Sequence, residues 1–178
     1  RTPSSAASDV YKRQVFSAGS TGATLISAIT ILGKQRGVIR PAIASVLPTI
    51  ERSVILLDSG ASLDVKPKVL YQFAVMGSKL AEALFDIESP KIGLLNNGEE
   101  ESKGRELEKS AFKLLNSSSL NFVGNVEGRD FATNKVDVFV TDGFTGNVVL
   151  KTLEGTAKLQ QSLISVSYTH LTLPTKVY

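Results

Sequence analysis

Short runs dense in Val, Ile and Leu alternate along the chain with longer segments in which apolar residues recur at every third or fourth position. That is the pattern of βαβ units around a mostly parallel sheet. The runs predict strands near Ala42–Val46, Val54–Asp58, Lys91–Asn96, Asn121–Gly124 and Val136–Thr141, and Val15–Ala18 reads as the end of a strand whose beginning is missing. Helices are predicted near Thr21–Gln35, Pro67–Phe85, Lys103–Leu115 and Gly146–Leu163. In the second helix, proline follows Lys66 at a first-turn position, and Leu70, Phe73, Ala74, Gly77, Leu80, Ala81 and Leu84 share one face. In the third, Ser102 is the expected N-cap, Glu106 and Glu108 occupy the early turns, and Leu107, Ala111, Leu114 and Leu115 form the stripe expected to be buried. No internal repeat or linker interrupts this order, so the expected class is α/β, a mostly parallel sheet with flanking helices.

Glycine and polar residues cluster at 17–22 (SAGSTG), 58–64 (DSGASLD), 96–104 (NNGEEESKG), 124–130 (GNVEGRD) and 141–147 (TDGFTGN), each after a predicted strand. The carboxyl ends of parallel strands point the same way, so these loops are expected to meet at the edge where open α/β folds bind ligands. Several of them open a helix, whose free N–H groups and positive dipole end favour an anion, phosphate being the natural one. The first loop has glycines for close approach and hydroxyls on Ser20 and Thr21, yet it is neither a Walker A loop nor G-x-G-x-x-G, and a plain strand-to-helix turn is the alternative.

Lys103 reads as lying at a helix start, where the dipole opposes a cation. It is either a solvated lysine neutralised by Glu99, Glu100 and Glu101 or a lysine aimed at a phosphate or oxyanion. Asn147, in the first turn of the last helix, is either a cap or an amide donor to a carbonyl or phosphate oxygen. Asp58 and Asp64 are either a carboxylate pair or turn-forming aspartates. The acidic triplet reads as a solvated loop, and no metal is expected.

Composition narrows the chemistry. The 178 residues are 42% hydrophobic and 21% charged, as in one soluble globular domain. The absence of cysteine excludes disulfides, thiolate zinc sites and a Cys nucleophile, and the one histidine, His170, lies near the C-terminus. The net charge of +3 comes from the ends: Arg1, Lys12, Arg13 and Lys176 against Asp9 account for all of it. Residues 15–165 are therefore neutral and offer no basic stripe to nucleic acid. Residues 1–14 and 166–178 are Ser/Thr-rich without helical period and resemble translated sequencing-adaptor DNA around a domain at 15–165; natural flexible termini are the alternative. No secretory signal is visible, and the longest apolar stretch, Leu25–Leu32, is too short to span a bilayer, so a cytoplasmic protein is expected.

The motifs SAGSTGA (17–23), RPA (40–42), LPT (47–49), DSGASLDVKP (58–67), MGS (76–78), GLLN (93–96), KG (103–104), GNVEGRD (124–130) and DGFTGNVVLKTLEG (142–155) run in order through the body from Phe16 to Leu163. Together they resemble the PlsX family, the phosphate acyltransferases of bacterial phospholipid synthesis. The resemblance implies an isocitrate and isopropylmalate dehydrogenase-like fold and a homodimer. It implies transfer of a fatty acyl group from acyl carrier protein to inorganic phosphate, giving acyl phosphate for a downstream glycerol-3-phosphate acyltransferase. By motif, the catalytic lysine and asparagine fall on Lys103 and Asn147. Ser17, Ser20, Thr21, Gly22, Asp64, Lys66, Gly98, Asp142, Gly143 and Thr145 are the positions expected to hold phosphate or the rest of the substrate. No cofactor is implied.

The chain departs from the family at Ser20 and Ser62, where Asn is common, at Glu99, where Thr is common, and at Arg105, where Asn is common. Family chains are considerably longer, with an N-terminal Asp-Ala-Met-Gly-Gly-Asp motif and a C-terminal region that completes the dimer and carries a membrane-touching helix. The chain as given is therefore expected to be inactive, and peripheral membrane contact is expected only through the missing segment. Phosphate attack on a thioester needs no protein nucleophile, which suits a body without Cys or His. Competing readings are a nicotinamide-dependent dehydrogenase, a phosphate acyltransferase acting on coenzyme A thioesters, and an inactive fragment.

Overall fold

The computed structural model describes residues 20–171. The strand end expected at Val15–Ala18, Ser17, the extension 1–14 and residues 172–178 lie outside the described residues. The chain forms two units, residues 1–34 and 35–178. In the first, helix α1 (Thr21–Leu32) begins where the Ser20 hydroxyl accepts the Ala23 N–H at 3.3 Å. It ends at Gly33, whose φ of 75° favours glycine and whose N–H returns to the Ile29 carbonyl. That left-handed stop is why the helix falls short of the expected Gln35.

The second unit runs β1 (Ala44–Pro48), β2 (Ser53–Leu57), α2 (Pro67–Phe85), β3 (Ile92–Leu95), α3 (Glu106–Asn116), β4 (Phe122–Val126), a 3-10 turn at Gly128–Ala132, β5 (Val138–Val140) and α4 (Gly143–Leu171). The five strands form one sheet in the order β1-β2-β5-β3-β4. β1 is antiparallel to β2, and every other pair is parallel. The last strand in sequence is thus the central one, with Val138 opposite both Ile55 and Ile92. Strands covered on both faces read as continuous apolar runs, as β2, β3 and β5 do. Ile55, Leu57, Ile92, Leu94, Val138 and Val140 face α2 and α3. Val54, Leu56, Leu95, Val126 and Phe139 face Phe131 of the 3-10 turn and Val149 and Leu150 of α4.

Strands β1, β4 and β5 are shifted or trimmed by one or two residues at their ends, and the last two helices differ more from expectation. α3 starts at Glu106, not Lys103, because the Lys103 N–H closes a turn onto the Glu100 carbonyl at 3.0 Å and Gly104 then takes φ 87°. Its N-cap is therefore Arg105 rather than Ser102, with the Arg105 N–H bonded to the Glu108 carboxylate at 2.8 Å. α4 starts early, at Gly143, because Asp142 caps it by accepting the Thr145 N–H at 2.9 Å. It runs on to Leu171 through a stretch expected to be irregular; neither glycine nor proline occurs between Thr156 and Leu171 to stop it. Among the described residues no helix is long and apolar enough to cross a membrane.

Candidate active site

Strands β2, β5, β3 and β4 are parallel, so the loops that follow them leave one edge of the sheet. After β2 the chain is wound around the fully buried Asp58. One carboxylate oxygen accepts the N–H groups of Ile43, Gly60 and Ala61 at 3.1, 3.1 and 2.9 Å, and the other accepts that of Ser62 at 2.8 Å. Asp58 is a scaffold for its own loop, while Asp64 is exposed farther along it. The two aspartates do not act as a pair.

The start of α4 seats directly on that loop. The Gly143 N–H donates to the Ser62 carbonyl at 2.8 Å, and a Cβ at position 146 would stand 1.9 Å from the Asp58 carbonyl oxygen. Only glycine allows this approach, and it fixes the next residue. The Asn147 side chain lies 3.6 Å from where a Cβ on Gly60 would be, exposed, with no hydrogen-bond partner among the described residues.

After β3, Asn96 organises the loop by donating to the Lys103 carbonyl at 3.2 Å and accepting the Asn97 N–H at 2.8 Å. Asn125 of β4 anchors the acidic triplet by donating to the Glu100 carbonyl at 2.8 Å. The stem of Lys103 crosses Gly98, where a Cβ would meet it at 2.8 Å. Lys103 is exposed, as a solvated lysine would be, and forms no ion pair among the described residues, although the Glu100 carboxylate approaches the same side of Gly98 as its stem. Glu99 pairs instead with Lys135 at 2.9 Å and more distantly with Arg129, at 3.6 Å. The hydrogen bond and charge of Lys135 hold the Glu99 carboxyl below its ordinary value.

Between the loop after β3 and the start of α4 lies a cavity of about 560 Å³, bordered by Asn96, Asn97, Gly104, Arg105, Glu108 and Thr145 among others. Arg105 bridges its two sides. Its Nε and Nη2 donate to Glu108, and Nη2 also donates to Asp142. These bonds, to Glu108 first and Asp142 second, raise the arginine's pKa further above its ordinary value. Burial pushes the Asp142 carboxyl up, but the Thr145 N–H, Arg105 and the Thr145 hydroxyl outweigh it and leave it below its ordinary value.

The structure thus gathers some of the expected residues and separates others. Thr145 borders the cavity, whereas Asp142 is buried beside it with its carboxylate occupied by Arg105 and Thr145. Gly143 contacts Ser62, and Gly98 underlies Lys103. Lys103 and Asn147 lie on neighbouring loops of the same edge but are not among the residues that border the cavity, while Lys66 borders a separate groove with Tyr71, Leu114 and Ser117. Ser20, Thr21 and Gly22 belong to the first unit, at the start of α1. Arg105 and Glu108 were not foreseen as site residues; the signal was their i, i+3 spacing at a helix start. Among the described residues no three His, Asp or Glu side chains converge as a cation site.

A family model described as fatty acid synthesis protein matches residues 6–172. The phosphate acyltransferase of Desulforamulus reducens is 55% identical over 143 residues, covering 80% of this chain and 43% of its own. That of Thermoanaerobacterium thermosaccharolyticum is 49% identical over 149 residues, covering 84% and 45%, and that of Bacillus pumilus 50% over 159, covering 86% and 48%. The chain spans less than half the length of these curated relatives. Among solved structures, the EutD phosphotransacetylase from Staphylococcus aureus superposes with a TM-score of 0.60 at 21% identity, over 79% of this chain and 49% of that one. A phosphotransacetylase from Streptococcus pyogenes gives 0.56 at 18% over the same shares. At such identity the likeness is one of fold.

Proposed function

This chain belongs to the fatty acid synthesis protein family, that of the PlsX phosphate acyltransferases, and we propose that the protein it builds moves a fatty acyl group from acyl carrier protein to inorganic phosphate. One observation supports the reading above the rest. An ammonium and a carboxamide, Lys103 and Asn147, have no side-chain hydrogen-bond or ion-pair partner among the described residues and stand on neighbouring loops of one sheet edge.

In the proposed reaction a phosphate oxygen attacks the thioester carbonyl, the new C–O bond forms through an oxyanion, and the C–S bond breaks to release the carrier's thiolate, which takes a proton from water. Lys103 draws in the phosphate and offsets its charge. Asn147 donates its amide N–H to the developing oxyanion, a contribution of about 2.7–4 kcal/mol for one such donor. The seating of α4 on Gly60 and Ser62 sets where that amide stands, so backbone packing, more than side-chain reactivity, supplies the positioning.

The same reading takes residues 15–165 as the acyltransferase part of an isocitrate dehydrogenase-like homodimer. Its acyl phosphate passes to a glycerol-3-phosphate acyltransferase, and the enzyme works in the cytoplasm with peripheral membrane contact. A second reading, transfer from coenzyme A thioesters, is favoured by the fold shared with phosphotransacetylases. Comparing acyl carrier protein with coenzyme A thioesters as donors separates the two. In a chain of the relatives' full length carrying this body, Lys103→Ala and Asn147→Ala are each expected to slow phosphate-dependent thiol release at least ~100-fold. An unchanged rate in a folded variant refutes the role.

A further inference from the structure

We infer that Arg105 is an oxyanion-binding residue of the cavity, its guanidinium braced by two buried carboxylates so that the remaining nitrogen is offered to a phosphate group. The inference rests on the acyltransferase reading and adds a residue to it. Arg105 borders the cavity of about 560 Å³ with its side chain 60% exposed, whereas Glu108 and Asp142, which hold it, are 9% and 2% exposed. Nε and Nη2 are taken up by these acids, and Nη1, with two N–H groups, has no partner among the described residues.

The guanidinium is held from two different helix starts, which fixes its plane at the border of the cavity. Here one anchor comes from the third residue of α3 and the other from the cap of α4. Both acids lie at helix N-termini, each worth about +0.5 of charge, so the cluster of one guanidinium and two carboxylates is close to neutral and Nη1 is offered to a ligand as a hydrogen-bond donor rather than as an uncompensated charge. Anchoring at Nε and Nη2 also removes most of the side chain's rotational freedom before anything binds, which lowers the cost of recognition. Arg105 stays protonated at any working pH. The side-chain amides of Asn97 and Asn96 border the same space, the latter with one N–H beyond its bond to the Lys103 carbonyl, and can complete the donor set for a tetrahedral oxyanion.

Phosphate oxygens of two origins fit: inorganic phosphate and the phosphodiester of the donor's pantetheine arm. The test uses a full-length enzyme carrying this body, with Arg105→Gln and Arg105→Lys variants. Inorganic phosphate binding is measured by calorimetry without donor, and KM is measured for phosphate and for acyl donor separately. Loss of a charge-assisted donor is expected to raise the KM and Kd for inorganic phosphate about 10–100-fold in Arg105→Gln, with partial recovery in Arg105→Lys. A rise confined to the donor's KM keeps the oxyanion role and assigns the group to pantetheine. Both KM values unchanged in a folded variant would overturn the inference, as would equal falls in kcat and melting temperature that lysine does not repair. A wild-type enzyme that neither binds phosphate nor transfers acyl groups would overturn the acyltransferase reading itself.

Discussion

Replacing Gly146 by alanine adds a single methyl group where, among the described glycines, a Cβ has the least room. The new Cβ would stand 1.9 Å from the Asp58 carbonyl oxygen, 2.9 Å from its carbon and 3.1 Å from Thr141 Cγ2. Relief requires a separation of more than about 1 Å between α4 and the loop. The loop cannot give way, because Asp58 is held through its N–H on Thr141 and through four N–H bonds to its carboxylate. Overpacking of this kind costs about 1–3 kcal/mol or more, and the gain in helix propensity from Gly to Ala returns at most about 1 kcal/mol. A net loss of roughly 2 kcal/mol lowers the melting temperature by about 4–8 °C in a chain of this size. Gly155 lies in the same helix with nothing within 4 Å of a Cβ, so Gly155→Ala is expected to stabilise by up to about 1 kcal/mol. Urea and thermal melts of the two variants of the 178-residue chain should therefore move in opposite directions. In a full-length enzyme, Gly146→Ala should also displace Asn147 and cost activity on the order of 100-fold, the scale of a 1 Å misplacement. A Gly146→Ala variant as stable as the parent would show that the helix start is not seated on the loop as described.

Asp58→Ala removes the acceptor for four backbone N–H groups at a fully buried position and is expected to cost more than about 3 kcal/mol by urea denaturation, whereas Asp64→Ala, on the exposed side of the same loop, should stay within about 0.5 kcal/mol; similar losses would contradict the scaffold role. Because the folded Asp142 carboxyl lies below its ordinary value, its stabilising contribution is complete above about pH 4 and disappears as pH falls through the depressed folded value. The stability gap between the parent and Asp142→Asn should accordingly shrink on acidification below pH ~4, and a gap independent of pH would exclude that ionisation as its source.

Much of the fold is legible locally. Lys66-Pro67 and an unbroken apolar face mark α2 from Pro67 to Phe85, and the all-apolar runs of β2, β3 and β5 announce strands covered on both sides. The glycine loops follow the parallel strands and so leave one edge of the sheet, and the segment 142–147 announces the last helix, although its start at Gly143 rather than Gly146 emerges only with the Asp142 cap. The dipole argument about Lys103 rests on a helix beginning at that residue, and the turn closed on Glu100 moves the start to Glu106. Glu99 reads in the sequence as part of a triplet neutralising Lys103, but its partner is Lys135, 36 residues away.

Hydrophobic period, proline, glycine and capping chemistry act within one turn or one strand, so the residues themselves determine which segments become helices and strands and where most of them stop. Which strand is central, that β1 runs antiparallel, and which loops become neighbours depend on how the apolar faces are buried together. That burial brings Arg105 to Asp142 across 37 positions of chain and Gly146 onto Asp58. Contacts of this range carry no local signature, because the energy that selects them comes from closing the whole sheet between its two layers of helices.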